Sequence, residues 1–177
     1  MYDLKICPKG EINNAIVWGC THILSIQDAE EMDYPVGTPF GIPAANHKRF
    51  FFDDLSNDAE VRESNRLAGL MRRVPPSPKI VEAMLDFAKT VPEEGRLLVH
   101  CFAGVSRSTA TGYMINCWGM PEVPEQACLR ITNFQAVNKP VIPNELIVRY
   151  ADVILKRKGK MLMALDEWTM GGKRGII

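Results

Sequence analysis

The sequence predicts an α/β fold with a small central, mostly parallel sheet flanked by helices. Three observations carry this expectation. Short apolar runs that read as strands come early in the chain, and helical patterns dominate later. Between the two, one strand leads straight into a glycine-bearing loop and a helix. Strand and helix in that order pack as layers around one core.

The elements follow in order. Residues 21–26 (THILSI) read as a short buried strand. Residues 33–48 carry Pro35, Gly37, Pro39, Gly41 and Pro43 and read as a loop. Residues 49–52 form another short strand, ending at Asp53 and Asp54. Residues 57–73 are densely charged and interrupted by Gly69, so they read as a helix or as a long excursion. Ser77 and Pro78 then start a helix, with a hydroxyl cap followed by proline at the first helical position. Val81, Met84, Leu85 and Ala88 follow at helical spacing. Pro92 to Gly95 ends it, and residues 96–100 (RLLVH) are the strongest strand. A helix over about 107–118 has Ala110, Met114, Cys117 and Trp118 on one face and is stopped by Gly119 and Pro121. Helices over 125–135, 144–156 and 160–168 complete the expectation.

Composition bounds the function. The 177 residues suit one domain spanning 1–177, with 46% hydrophobic and 24% charged residues. Basic and acidic residues number 21 each, so net charge is zero and a general nucleic-acid or membrane-surface binder is disfavoured. No apolar run has the length of a membrane span, and residues 1–10 lack a secretory core, which points to the cytoplasm. The five cysteines, Cys7, Cys20, Cys101, Cys117 and Cys128, form no CxxC pair, so neither a disulfide framework nor a structural zinc site is expected. No metal-ligand set is visible and no cofactor is expected.

The chemistry concentrates in residues 99–109, VHCFAGVSRST. A tight loop between a strand and a helix N-terminus can turn several backbone N–H groups into one concavity, where the helix dipole favours a phosphate. Cys101 stands at the floor of that concavity, and the same field favours its thiolate. Arg107, six residues on, carries a planar fork suited to two phosphate oxygens. Gly104 permits the turn, while Phe102, Ala103, Val105 and Ser106 supply the rest of the cradle. Ser108 can donate to the sulfur as it leaves, and His100 can order the loop without touching substrate.

His100, Cys101, Gly104, Arg107 and Ser108 reproduce the pattern HCxxGxxRS, in which the chain resembles the protein-tyrosine and dual-specificity phosphatase superfamily. Residues 21–26 look like the early strand of small dual-specificity members, and residues 108–115 like the helix after their signature loop. Residues 87–168 are similar to small bacterial tyrosine-phosphatase-like proteins. The resemblance spans about 15–157 in outline and is specific at the signature.

It implies a phosphatase-like layered fold and hydrolysis of phosphate monoesters through a phosphocysteine. It also implies a carboxylic acid upstream that protonates the leaving oxygen. Asp54, just past the apolar strand, is the first candidate, followed by Asp53 and then Asp58, which also suits a helix cap. Asp54 precedes Cys101 by 101 − 54 = 47 residues, longer than compact relatives use. The surplus is the segment 57–76 with Arg62, Arg66, Arg72 and Arg73, for which a solvated face is expected ahead of a lid.

The uncharged loop residues favour a phosphotyrosine-bearing protein substrate over inositol phospholipids. An RNA 5′-phosphatase, a small-metabolite phosphatase or a phosphate-binding module with little turnover are the alternatives. Cys20, Cys117 and Cys128 are candidate traps for an oxidised Cys101, though ordinary core thiols are the expected reading.

Overall fold

The computed structural model describes residues 2–67 and 73–174. Four strands form one sheet in the order β1-β4-β2-β3, with every neighbouring pair parallel. They are β1 (Asp3–Pro8), β2 (His22–Gln27), β3 (His47–Phe51) and β4 (Arg96–Cys101). The helices are α1 (Ala15–Trp18), α2 (Asp58–Arg66), α3 (Pro78–Lys89), α4 (Arg107–Gly119), α5 (Glu125–Gln135), α6 (Glu145–Ile154) and α7 (Lys160–Arg174).

Strand β1 is not apparent in the sequence. Only Leu4, Ile6 and Cys7 mark it among charged neighbours, yet it forms the edge beside β4, pairing Asp3 with Arg96 through Pro8 with Cys101. The loop expected over 33–48 ends in a 3-10 turn at Ala44–Asn46, and β3 begins two residues earlier than expected. The charged segment holds α2, a solvated helix whose N-cap is Asn57, accepting from the Glu60 amide at 3.0 Å. Gly69 and Arg72 lie outside the described residues. Ser77 caps α3 as expected, accepting from the Ile80 amide.

Helices α3 to α7 pack on one face of the sheet. Alternation along β4 sends Leu97, Val99 and Cys101 to that side, with Leu24, Ile26, Met84, Met114 and Ile147. The other face is thinner, with Cys7, Ile12, Cys20, Ile23 and Leu98 under Trp18, Val36 and Ile42. Helix α4 is buried on nearly all sides from Arg107 to Cys117, as a helix at the centre of a layer must be. Gly112 lets it sit close to β1, since a Cβ there would stand 2.4 Å from Ile6 Cδ1. Among the described residues, no helix is long and apolar enough to cross a membrane.

Because the strands run parallel, their C-terminal ends share one edge. The segments leaving that edge carry Asp28 after β2, Asp53 and Asp54 after β3, and the loop from Cys101 after β4. In open α/β sheets this is where ligands bind.

Candidate active site

The loop from Cys101 to Arg107 is held by its carbonyls. Phe102 O accepts from the Lys9 amide at 3.1 Å, and Ala103 O from Asn138 Nδ2 at 2.8 Å. Val105 O accepts from the Ile142 amide at 3.0 Å and Ser106 O from the Asn144 amide at 3.3 Å. All four partners lie outside the loop. In a trans peptide the carbonyl and the following N–H point in opposite directions. The amides that follow these carbonyls are therefore turned inward, and the Gly104 amide donates to Cys101 Sγ at 3.3 Å.

Gly104 makes this turn at φ +70°, where a Cβ would stand 2.6 Å from Pro8 N and 2.7 Å from Cys7 C. Glycine is thus required both by the left-handed backbone and by the end of β1 against it. Ser106 leaves the first turn of α4 without a side-chain cap. Its hydroxyl instead donates to Asp54 Oδ1 at 2.7 Å.

Cys101 is 2% exposed and Arg107 3%, so both stand at the floor of a cavity of about 650 Å³. Ser108 Oγ lies 3.1 Å from Cys101 Sγ. Arg107 Nη1 donates to Phe52 O at 2.7 Å and pairs with Asp28 Oδ1 at 2.7 Å. Its Nε is buried and, among the described residues, has no hydrogen-bond partner. One side of the fork is therefore anchored to the protein, while a buried donor remains for an anion.

Of the three candidate acids, Asp53 and Asp54 line the cavity. Asp54 lines the cavity, with Oδ1 accepting from Ser106 and from Asn144 Nδ2 at 2.8 Å, and Oδ2 at 3.9 Å from Arg107 Nε. Asp53 is used as a brace, accepting from the Val74 amide at 2.5 Å and from the Ala29 amide at 3.4 Å. Asp58 lies in the first turn of α2 and pairs with Arg149 at 2.8 Å. It neither caps that helix, a role Asn57 takes, nor reaches the cavity.

Two groups were missed in the sequence. Asp28 is the partner of Arg107, and only knowledge of the strand order brings residue 28 beside residue 107. Asn144 was read as a helix start; it caps α6 through the Ile147 amide and also holds Asp54. Arg73, from the charged segment, lines the cavity, whereas Arg66 pairs with Glu63 in solvent.

His100 is fully buried behind the loop. Its Nε2 lies 2.6 Å from Ser25 Oγ, which lies 2.6 Å from His47 Nε2. Arg49 donates to His47 Nδ1 at 3.0 Å. A guanidinium only donates, so His47 carries its proton on Nε2 and gives it to Ser25. The Ser25 hydroxyl then donates to His100 Nε2, leaving the His100 proton on Nδ1. Burial pushes both imidazoles down from 6.5 to about 4, so both are neutral at pH 7.

None of the cysteines named as trapping partners stands beside Cys101. Cys20 precedes β2, at the opposite end of the sheet, where its thiol donates to His22 O. Cys117 and Cys128 lie on α4 and α5, with Cys117 ten residues past Arg107. Cys7 is next to His100 in register, but it packs on the other face with Leu98, and burial pushes its thiol up to about 12.

No family model and no curated protein sequence matches the chain. Solved structures do. The PTP-2 phosphatase of Cydia pomonella aligns with a TM-score of 0.57 at 16% identity, over 85% of this chain and 84% of that one. PTPMT1 in complex with PI(5)P aligns at 0.55 and 12% identity, over 88% and 94%. Tk-PTP in its active form aligns at 0.53 and 13% identity, over 88% and 92%.

Proposed function

We propose that this chain, which carries the fold of the protein-tyrosine and dual-specificity phosphatases, is a cysteine-dependent phosphoric monoester hydrolase. The observation that supports it most is the arrangement around Cys101: a thiol under inward-turned amides, with a buried Arg107 Nε that makes no hydrogen bond among the described residues and a cavity-facing carboxyl at Asp54.

The reaction has two steps. Cys101 attacks phosphorus as the thiolate, the P–O bond to the substrate breaks, and Asp54 protonates the departing oxygen. Water then attacks the phosphocysteine with the Asp54 carboxylate accepting its proton. The S–P bond breaks, and Ser108 donates a hydrogen bond to the leaving sulfur. Arg107 and the loop amides hold the phosphoryl oxygens through both steps, as preorganised donors aimed at developing charge. Ser106 and Asn144 aim Asp54.

Phosphotyrosine is the favoured substrate. A nearly buried Cys101 is reached by a long arm ending in phosphate, and an aryl phosphate is longer than an alkyl one. Phe102, 66% exposed at the rim, offers a face to an aromatic ring. Asp28, Glu30 and Asp53 on the cavity wall add negative charge that opposes a multiply phosphorylated headgroup.

The test is p-nitrophenyl phosphate hydrolysis across pH with chelator present, for wild type, Cys101→Ser and Asp54→Ala. Turnover should vanish in Cys101→Ser. In Asp54→Ala it should fall about 10²- to 10³-fold and lose the basic limb of its profile. A substrate panel of phosphotyrosine peptide, phosphoserine peptide and PI(5)P vesicles then tests specificity; faster turnover of PI(5)P would overturn the phosphotyrosine assignment.

A further inference from the structure

A second pocket of about 490 Å³ opens at the far end of α4, where Trp118, Pro121 and Leu155 meet Lys156, Lys158 and Lys160. Thirteen residues of α4 separate it from the catalytic loop, roughly 20 Å at 1.5 Å per residue. Among the described residues, no carboxylate lines it and the three ammonium groups have no hydrogen-bond or ion-pair partner.

Local rules explain these lysines only in part: the C-terminal dipole of α6 favours cations at Lys156 and Lys158, but the backbone there does not favour lysine. Helix α6 ends in a Schellman turn, with the Lys156 amide on Val153 O and the Arg157 amide on Asp152 O. The residue at its left-handed position is usually glycine, but here it is Lys156 at φ 55°. Lys158 repeats the conformation at φ 57°, although Gly159 is the next residue. Each such placement costs about 1 kcal/mol or more. Lys160 opens α7, where the helix dipole disfavours a cation and no acidic residue stands in the first turn.

The backbone of the turn is held by Asp152, which accepts from the Gly159 amide at 2.7 Å and the Met161 amide at 3.0 Å. The carbonyl end of α4 is already served by Arg157, which donates to Cys117 O and Pro121 O and pairs with Glu125. Among the described residues no ion pair uses the three lysines, and all three line one cavity of ligand size.

We infer that this pocket is a second anion site, separate from the catalytic loop, for a ligand bearing clustered phosphate charge. That chemistry can come from a free polyphosphate-type anion or from a phosphorylated lipid headgroup. In the second case the catalytic cavity, at the other end of α4, faces away from the surface that holds the protein.

The experiment uses amide NMR of Cys101→Ser titrated with sodium pyrophosphate at constant ionic strength. The same titration is run on Cys101→Ser carrying Lys156→Gln, Lys158→Gln and Lys160→Gln. Saturable shifts are expected at residues 156–161 and the Trp118 indole, independent of those at 101–107. The triple substitution should weaken them by about tenfold or more and spare the loop shifts. Sedimentation with phosphatidylcholine vesicles, with and without PI(5)P, distinguishes the sources: lysine-dependent pelleting assigns a headgroup, and pyrophosphate binding alone assigns a free anion. Absence of saturable shifts at 156–161, or shifts unchanged by the triple substitution, overturns the inference.

Discussion

Arg107 gives one edge of its fork to the protein, and in the proposed reaction its buried Nε is the donor kept for the anion. Asp28 and Phe52 O fix the orientation of that fork. A charge-assisted hydrogen bond of this kind contributes about 1.5–3 kcal/mol. Asp28→Asn should therefore lower kcat/KM roughly 10- to 100-fold, with weaker vanadate inhibition, and Asp28→Glu should restore part of it. Unchanged vanadate inhibition in Asp28→Asn would remove Asp28 from the account. Ser108→Ala should slow breakdown of the phosphocysteine more than its formation, seen as a burst of p-nitrophenol before a slow steady state. At this scale the sequence was most informative where chemistry and spacing coincide. Cys101, Gly104, Arg107 and Ser108 fall within eight consecutive positions, so their proximity needs no fold. Asp54 is a candidate through its place after a strand, where the acid loop of the resembled family begins. Asp28 is not a candidate there, because its contact with Arg107 joins residues 107 − 28 = 79 positions apart, past the ends of the neighbouring strands β2 and β4, and an aspartate near Glu30 and Glu31 looks like any solvated face.

The loop is shaped by elements on either side of it. Strand β1 stands against Gly104, and the segments around 138–144 take the outward carbonyls. Gly104→Ala is expected to abolish turnover and lower stability by about 2 kcal/mol or more; urea denaturation and vanadate binding would measure both. Beneath the loop, the His100–Ser25–His47 chain ties β4, β2 and β3 together. Both rings titrate near 4 when folded and near 6.5 when unfolded. Between those values the unfolded chain binds more protons, so stability rises with pH. The full contribution is present above about 6.5 and is lost as pH falls toward 4. Urea denaturation at pH 7.5 and pH 5 should show this loss, and His47→Gln should show a smaller one. An equal loss in His47→Gln would contradict the buried, neutral pair. Helices α3 and α6 were legible because caps at Ser77 and Asn144 and periodic apolar faces are local signals. Strand β1 was not, since its few apolar residues alternate with charge and only pairing to β4 makes it a strand.

Across the whole molecule, parallel strands deliver Asp28, Asp53, Asp54 and Cys101 to one edge, and α4 carries the centre of the core from that edge to the opposite surface. The α/β class was legible because strands precede helices; the strand order and the second pocket were not, since both depend on contacts distant in sequence. The basic turn at 156–160 reads as ordinary surface charge until its backbone angles and neighbours are known. The central claim is that phosphate passes through Cys101, and one measurement addresses it directly. Ser108→Ala is mixed with p-nitrophenyl phosphate, quenched in acid during the burst and analysed by peptide mass. The account predicts one phosphoryl group on the peptide containing Cys101, absent when Cys101→Ser is added. A burst with the phosphoryl group on another residue, or turnover that persists in Cys101→Ser, would contradict it.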